Sequence, residues 1–159
     1  MKILYDVRIR AGAIFITALL AIFILLLLKN SGLYPIVLSD ENTYSKFSRL
    51  LPFSSSTIPC CIYLGIYRLT NHCGADFLAC SRLFNTFFFV STAPFIYLVA
   101  RRVTTLGPAI FISVLSLLAP INSYTAYFMP EAFYFFGFWI FTWFVLRLDN
   151  SSIRDWAIA

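Results

Sequence analysis

Four apolar runs, each broken off by charge or proline, set the rhythm of this chain. Residues 11–28 hold no charged side chain, and at about 1.5 Å of rise per residue they reach roughly 27 Å, close to the hydrocarbon thickness of a bilayer. Lys29, Asn30 and Ser31 follow rather than a small-residue cleavage pattern, so this run reads as an uncleaved anchor. A second run covers 83–100 and stops at Arg101-Arg102. A third covers 103–119 and stops at Pro120, and a fourth covers about 130–147, with its apolar centre from Ala132 to Leu146. The expected fold class is all-α: one polytopic membrane helix bundle of about four transmembrane helices. Lys2, Arg8 and Arg10 precede the first run, Arg101 and Arg102 mark the middle turn, and Arg147 and Arg154 follow the last. By the positive-inside tendency both termini then face the cytoplasm, as expected of a multi-pass protein of a bacterial inner membrane.

The stretch 30–74 is too long for a simple turn between spans, so it must carry structure of its own. Ser39 or Asp40 can cap a short helix in which Tyr44, Phe47 and Leu51 recur on one face, and Pro52 ends it. A second piece over 58–69 puts Ile58, Ile62, Ile66 and Leu69 on one face, too short to span and suited to lying in the membrane interface. Two interfacial helices are therefore expected in the first outer loop.

Composition agrees. The chain is 60% hydrophobic and only 12% charged, with a mean hydropathy of +0.83, whereas soluble domains hold about a quarter charged residues. Eighteen Phe, nine Tyr and three Trp suit packing in lipid and rings at its interface. The net charge of +5 is scattered at the ends of apolar runs, with no basic stripe or stacking motif, so nucleic acid is not an expected partner.

Cys60, Cys61, Cys73 and Cys80 all lie between the first two runs without metal-ligand spacing. Zinc is not expected. They act either as small apolar residues or, facing an oxidising compartment, as a disulfide such as Cys60 or Cys61 with Cys73.

Only seven acidic residues exist, so their placement carries information. Asp6, Asp149 and Asp155 read as cytoplasmic surface charge, and Asp76 as a helix cap. Asp40 and Glu41 stand on the outer side before the first interfacial helix, where a cap and a first-turn carboxylate suffice to explain them. Glu131 after Pro130 is likewise a good helix start. Two crossings separate these sites, which places them on one face, where they could join as a general base and a second anionic or metal-binding group. Arg82 is either a snorkelling side chain or a ligand for a lipid phosphate. His72 could touch a donor or metal, or be a plain loop histidine.

The order Ser39-Asp40-Glu41-Asn42-Thr43-Tyr44 after one span, Cys80-Ser81-Arg82-Leu83-Phe84-Asn85 opening the second, and Tyr127-Phe128-Met129-Pro130-Glu131 before the fourth resembles the polytopic GT-C glycosyltransferases. These include protein O-mannosyltransferases and aminoarabinose and arabinosyl transferases. The resemblance implies transfer of a sugar from a polyprenyl-phosphate donor to a glycan, lipid or protein acceptor on the extracytoplasmic face of the membrane. It implies Asp40 as catalytic base with Glu41 beside it, and Arg82, Glu131 and Tyr44 as substrate-binding residues. Asp40 and Glu131 are the candidate ligands should a divalent metal take part. Members usually have eight or more spans, and residues 152–159 look like the start of a fifth, so the chain is expected to be the N-terminal part of a longer enzyme. The competing expectation is a non-enzymatic membrane protein, a transporter fragment or a partner subunit. A transporter would more naturally place ionisable groups inside spans, whereas the middle of every run here is uncharged.

Overall fold

The computed structural model describes residues 2–33, 38–57 and 61–148, with side chains from residue 9, and these residues form helices and connections with no strand among them. Ile58, Cys60, Asp149 and the expected further span at 152–159 lie outside them.

Helix α1, Lys2–Asn30, is apolar all round through its middle. Ile22 and Leu26 pack into the protein while Ile14, Leu25 and Leu28 are exposed, as a helix with protein on one side and acyl chains on the others requires. Helix α2, Ser39–Arg49, has its cap one residue before Ser39 and two before Asp40, the expected caps. Leu38 holds the cap position and its N–H donates to Glu41 Oε1 at 2.9 Å, so Ser39 and Asp40 lie in the first turn. Pro52 then opens a 3-10 turn, Phe53–Ser55.

Helix α3, Cys61–Tyr67, runs into a 3-10 stretch, Arg68–Asp76. On the apolar face expected to suit the membrane interface, Ile62 and Leu69 are 71% and 53% exposed and Ile66 packs inward, while Tyr63, Leu64 and Tyr67 are fully buried. Aromatic rings bury more surface than the aliphatic side chains. The buried Tyr67 hydroxyl also donates to Asn85 Oδ1.

Gly74, at φ 55° and ψ −122°, takes a conformation that side chains resist and turns the chain sharply. Cys73 is thereby brought to a Cα–Cα distance of 6.5 Å from Cys80, and the two form a disulfide. This corrects the expected pairing of Cys73 with Cys60 or Cys61; Cys61 is free and exposed.

Helices α4, Phe77–Ser91, and α5, Ala93–Ala100, continue into one another through Thr92, which is itself helical. The helix therefore begins well before the expected start at Leu83. Asp76 holds its cap position but makes no side-chain cap hydrogen bond. Helix α6, Leu106–Leu117, bends by 51° into a 3-10 segment, Pro120–Ala126, so the third run is not one straight span. Helix α7, Glu131–Arg147, matches the fourth run, with Pro130 in the cap position rather than the first helical one.

Among the described residues two stretches are long and apolar enough to cross a membrane, Ile9–Asn30 and Cys61–Ala100, and a third joins them if α6 and its bent continuation form one span. The second stretch, at 40 residues, is about twice what a bilayer needs, and the turn at Gly74 divides it, leaving α4 and α5 as the crossing part.

Helix α1 packs on α4 and α6, α4 on α7, and α5 on both α6 and α7. Ile22, Leu26, Phe89, Ala93, Leu117 and Ala132 form the core between them. A second, aromatic cluster of Tyr63, Tyr67 and Phe128 lies under α2 and α3 at the loop end of the bundle. At the opposite end Arg101 shares a cavity wall with Gly12.

A candidate carboxylate site at the loop end

From Ala126 to Pro130 the chain passes between helices, and its backbone groups need partners from elsewhere. Three side chains supply them at consecutive residues. Arg82 Nε donates to the Ala126 carbonyl at 3.0 Å, Asn85 Nδ2 donates to the Tyr127 carbonyl at 2.6 Å, and the Phe128 N–H donates to Glu41 Oε2 at 2.8 Å. This clamp delivers Glu131 to the start of α7.

Glu41, expected beside the catalytic base, is 1% exposed and accepts a backbone N–H on each oxygen, from Leu38 and from Phe128. A buried carboxylate satisfied in this way joins α2 to the segment before α7. Charge-assisted bonds of this kind are the stronger class. Arg82, expected to bind phosphate, also donates from Nη2 to the Leu33 carbonyl at 3.3 Å. It lines a cavity of about 300 Å³ together with Leu27, Asn30, Ser31, Gly32 and Ala79.

Asp40 is exposed in the first turn of α2, on the helix that Glu41 ties down. Glu131 is half-buried at the first residue of α7, and the charge of Asp40 acts on it. The two carboxylates that the sequence offered as a pair thus lie at the same end of the bundle, within electrostatic range of each other. Oε2 of Glu131 is buried and has no hydrogen-bond partner among the described residues, and a carboxylate oxygen left so calls for an explanation. Tyr44 is half-buried and packs edge-on against Tyr63 with ring centroids 5.7 Å apart. His72 is exposed in the 3-10 stretch.

Among the described residues no group of three or more His, Cys, Asp or Glu side chains converges as a metal site. Asp40 and Glu131 supply two carboxylates, oxygen ligands of the kind a hard divalent cation takes. Chemically an exposed carboxylate at this end can accept a proton from a bound hydroxyl.

Sequence reading assigned no role to Asn85, Asn30 or Tyr67. Asn85 links the Tyr67 hydroxyl to the Tyr127 carbonyl, and Asn30 donates to Thr125 Oγ1 at 2.9 Å and Thr86 Oγ1 at 3.5 Å. The signal was present: an amide inside or at the end of an apolar run is costly unless it is hydrogen-bonded. No family model, no curated protein and no solved structure matches this chain.

Proposed function

We propose that the chain forms a four-span bundle, with α7 as the fourth crossing, and serves as a membrane glycosyltransferase using a polyprenyl-phosphate sugar donor at the extracytoplasmic face. The observation that carries the reading is that Asp40 and Glu131, from the first loop and the last helix, lie within electrostatic range of each other at one end of an apolar bundle. The Cys73–Cys80 disulfide at that same end supports an oxidising, extracytoplasmic side for it.

In this reading an acceptor hydroxyl attacks the anomeric carbon and the bond from that carbon to the phosphate oxygen breaks. Asp40, exposed and on the rim, accepts the hydroxyl proton. The polyprenyl phosphate departs with the electron pair. Arg82 grips the Ala126 end of the segment whose other end carries Glu131, and in this reading its guanidinium charge offsets that of the leaving phosphate. Where a divalent metal takes part, Asp40 and Glu131 would hold it, and it would neutralise phosphate charge.

A non-enzymatic reading, as a partner subunit or transporter fragment, draws on the fact that Glu41 and Arg82 both bond backbone groups. Mass spectrometry of glycolipids and surface glycans with and without the gene separates the two. Loss of one sugar from a defined glycan is the expected result. Unchanged glycans beside an altered solute content would leave the second reading.

A further inference from the structure

We infer that the cavity where α1, α5 and α6 meet, at the end of the bundle opposite the carboxylates, is a headgroup site for an anionic glycerophospholipid of the leaflet at that end. In the four-span reading this is the cytoplasmic leaflet. The inference goes beyond the proposed sugar transfer and does not depend on it, because none of the residues involved belongs to the loop end.

The cavity measures about 390 Å³, within the range of small-ligand sites, and is lined by Gly12 and Phe15 of α1, Tyr97 of α5, Arg101, and Leu106 and Ile110 of α6. Arg101 follows the last residue of α5 and spends an Nη1 N–H on the Thr104 carbonyl at 2.8 Å, which holds the side chain against its own turn. Its Nε and Nη2 make no hydrogen bond among the described residues, so the guanidinium edge that grips a phosphate with paired donors stays open. The Tyr97 hydroxyl makes none either, which leaves a neutral donor on a second wall residue. Thr105, in the cap position of α6, makes no side-chain cap hydrogen bond, so the positive end of that helix, at the wall residue Leu106, adds to the charge of Arg101.

Depth and wall chemistry make the occupant a lipid rather than a free anion. The cavity sits where the apolar stretch Ile9–Asn30 begins and where α5 ends, the level at which a bilayer places its headgroups. Phe15, Leu106 and Ile110 make part of its wall apolar, and the Phe15 and Tyr97 rings stand 5.5 Å apart. Ile14 and Phe111, each next in sequence to a wall residue, are 66% and 65% exposed, which gives acyl chains an apolar surface beside the cavity. Gly12 opens the wall on the α1 side. Glycine weakens a helix interior, and a Cβ placed there would meet nothing within 4 Å, so close packing between helices does not account for it. Arg10 and Arg102, both exposed, add positive charge at this end without an ion pair among the described residues. A basic pocket between membrane helices on the cytoplasmic side is the arrangement that takes anionic lipid heads.

The test uses the protein in phosphatidylcholine nanodiscs that hold a small fraction of phosphatidylglycerol with a photoreactive headgroup. Labelled peptides from 12–15 and 97–106 are expected, displaced by unlabelled phosphatidylglycerol and not by soluble glycerol phosphate or further phosphatidylcholine. Arg101→Gln, at an exposed position, removes the charged donors and should weaken labelling about tenfold. Gly12→Leu fills the cavity without changing charge and should weaken it by a similar factor, while helix content by circular dichroism stays as in the parent. Arg102→Gln removes the same charge from outside the cavity wall and should cost clearly less than Arg101→Gln. Equal losses for the two arginine variants would mean a diffuse positive surface in place of a site. Parent-level labelling in Gly12→Leu, label confined to other segments, or displacement by glycerol phosphate or phosphatidylcholine would also overturn the inference. Labelling of this cavity without any measurable sugar transfer would sink the enzyme reading and leave the lipid site standing, and transfer without labelling would do the reverse.

Discussion

Glu41 and Asp40 are neighbours in sequence with opposite fates. Glu41 is buried against two backbone N–H groups, whereas Asp40 is exposed. Removing the Glu41 carboxylate strands the buried Phe128 N–H and loosens the helix start, at about 1–3 kcal/mol for each unsatisfied buried group. Glu41→Ala should therefore lower unfolding stability by about 2–4 kcal/mol in detergent, measured by denaturant titration. Asp40→Asn, at an exposed position, should stay within about 0.5 kcal/mol of the parent. Equal losses for the two would mean that Asp40 shares the bracing role.

Among the elements, α4 is pinned at its start by the Cys73–Cys80 bridge, which closes a short loop around Gly74. Cross-linking so short a loop contributes about 2–3 kcal/mol in the chain-entropy account. Reduction, or Cys73→Ser, should lower stability by that amount and expose two additional thiols to maleimide in the first case and one in the second, read by intact mass. No added thiol would show that the bridge does not form. The ends of α1 and α7 were legible because Lys29-Asn30 and Pro130-Glu131 interrupt long apolar runs. The buried face of α3 was not, since both Ile62 and Tyr63 are apolar and periodicity cannot tell a lipid-facing side from a protein-facing one. The disulfide was hidden because the approach of Cys73 to Cys80 depends on the backbone turn at Gly74, which spacing alone does not reveal. Of the candidate site, counting crossings anticipated only that Asp40 and Glu131 would lie at one end, within electrostatic range. The clamp by Arg82, Asn85 and Glu41 was not, because it is made with backbone groups that carry no sequence signature.

At the scale of the whole molecule, the bundle has a loop end bearing the carboxylates and the disulfide, and an opposite end bearing Arg101 and Arg102 in the turn between α5 and α6. Cysteine probes at Ser55 and at Val103, which is 84% exposed, should react with an impermeant maleimide from opposite sides, Ser55 from outside. Reaction of both from one side would dissolve the four-crossing arrangement. The most direct measurement concerns the proton acceptor: sugar transfer from a polyprenyl-phosphate donor in native membranes, compared between the parent protein and Asp40→Asn at matched expression. Loss of a general base costs about 10²- to 10⁴-fold, so transfer by Asp40→Asn is expected to fall at least about a hundredfold while membrane insertion, the disulfide and stability stay as in the parent. Near-normal transfer by that variant, or no transfer by the parent, would contradict a catalytic carboxylate site at this end of the bundle.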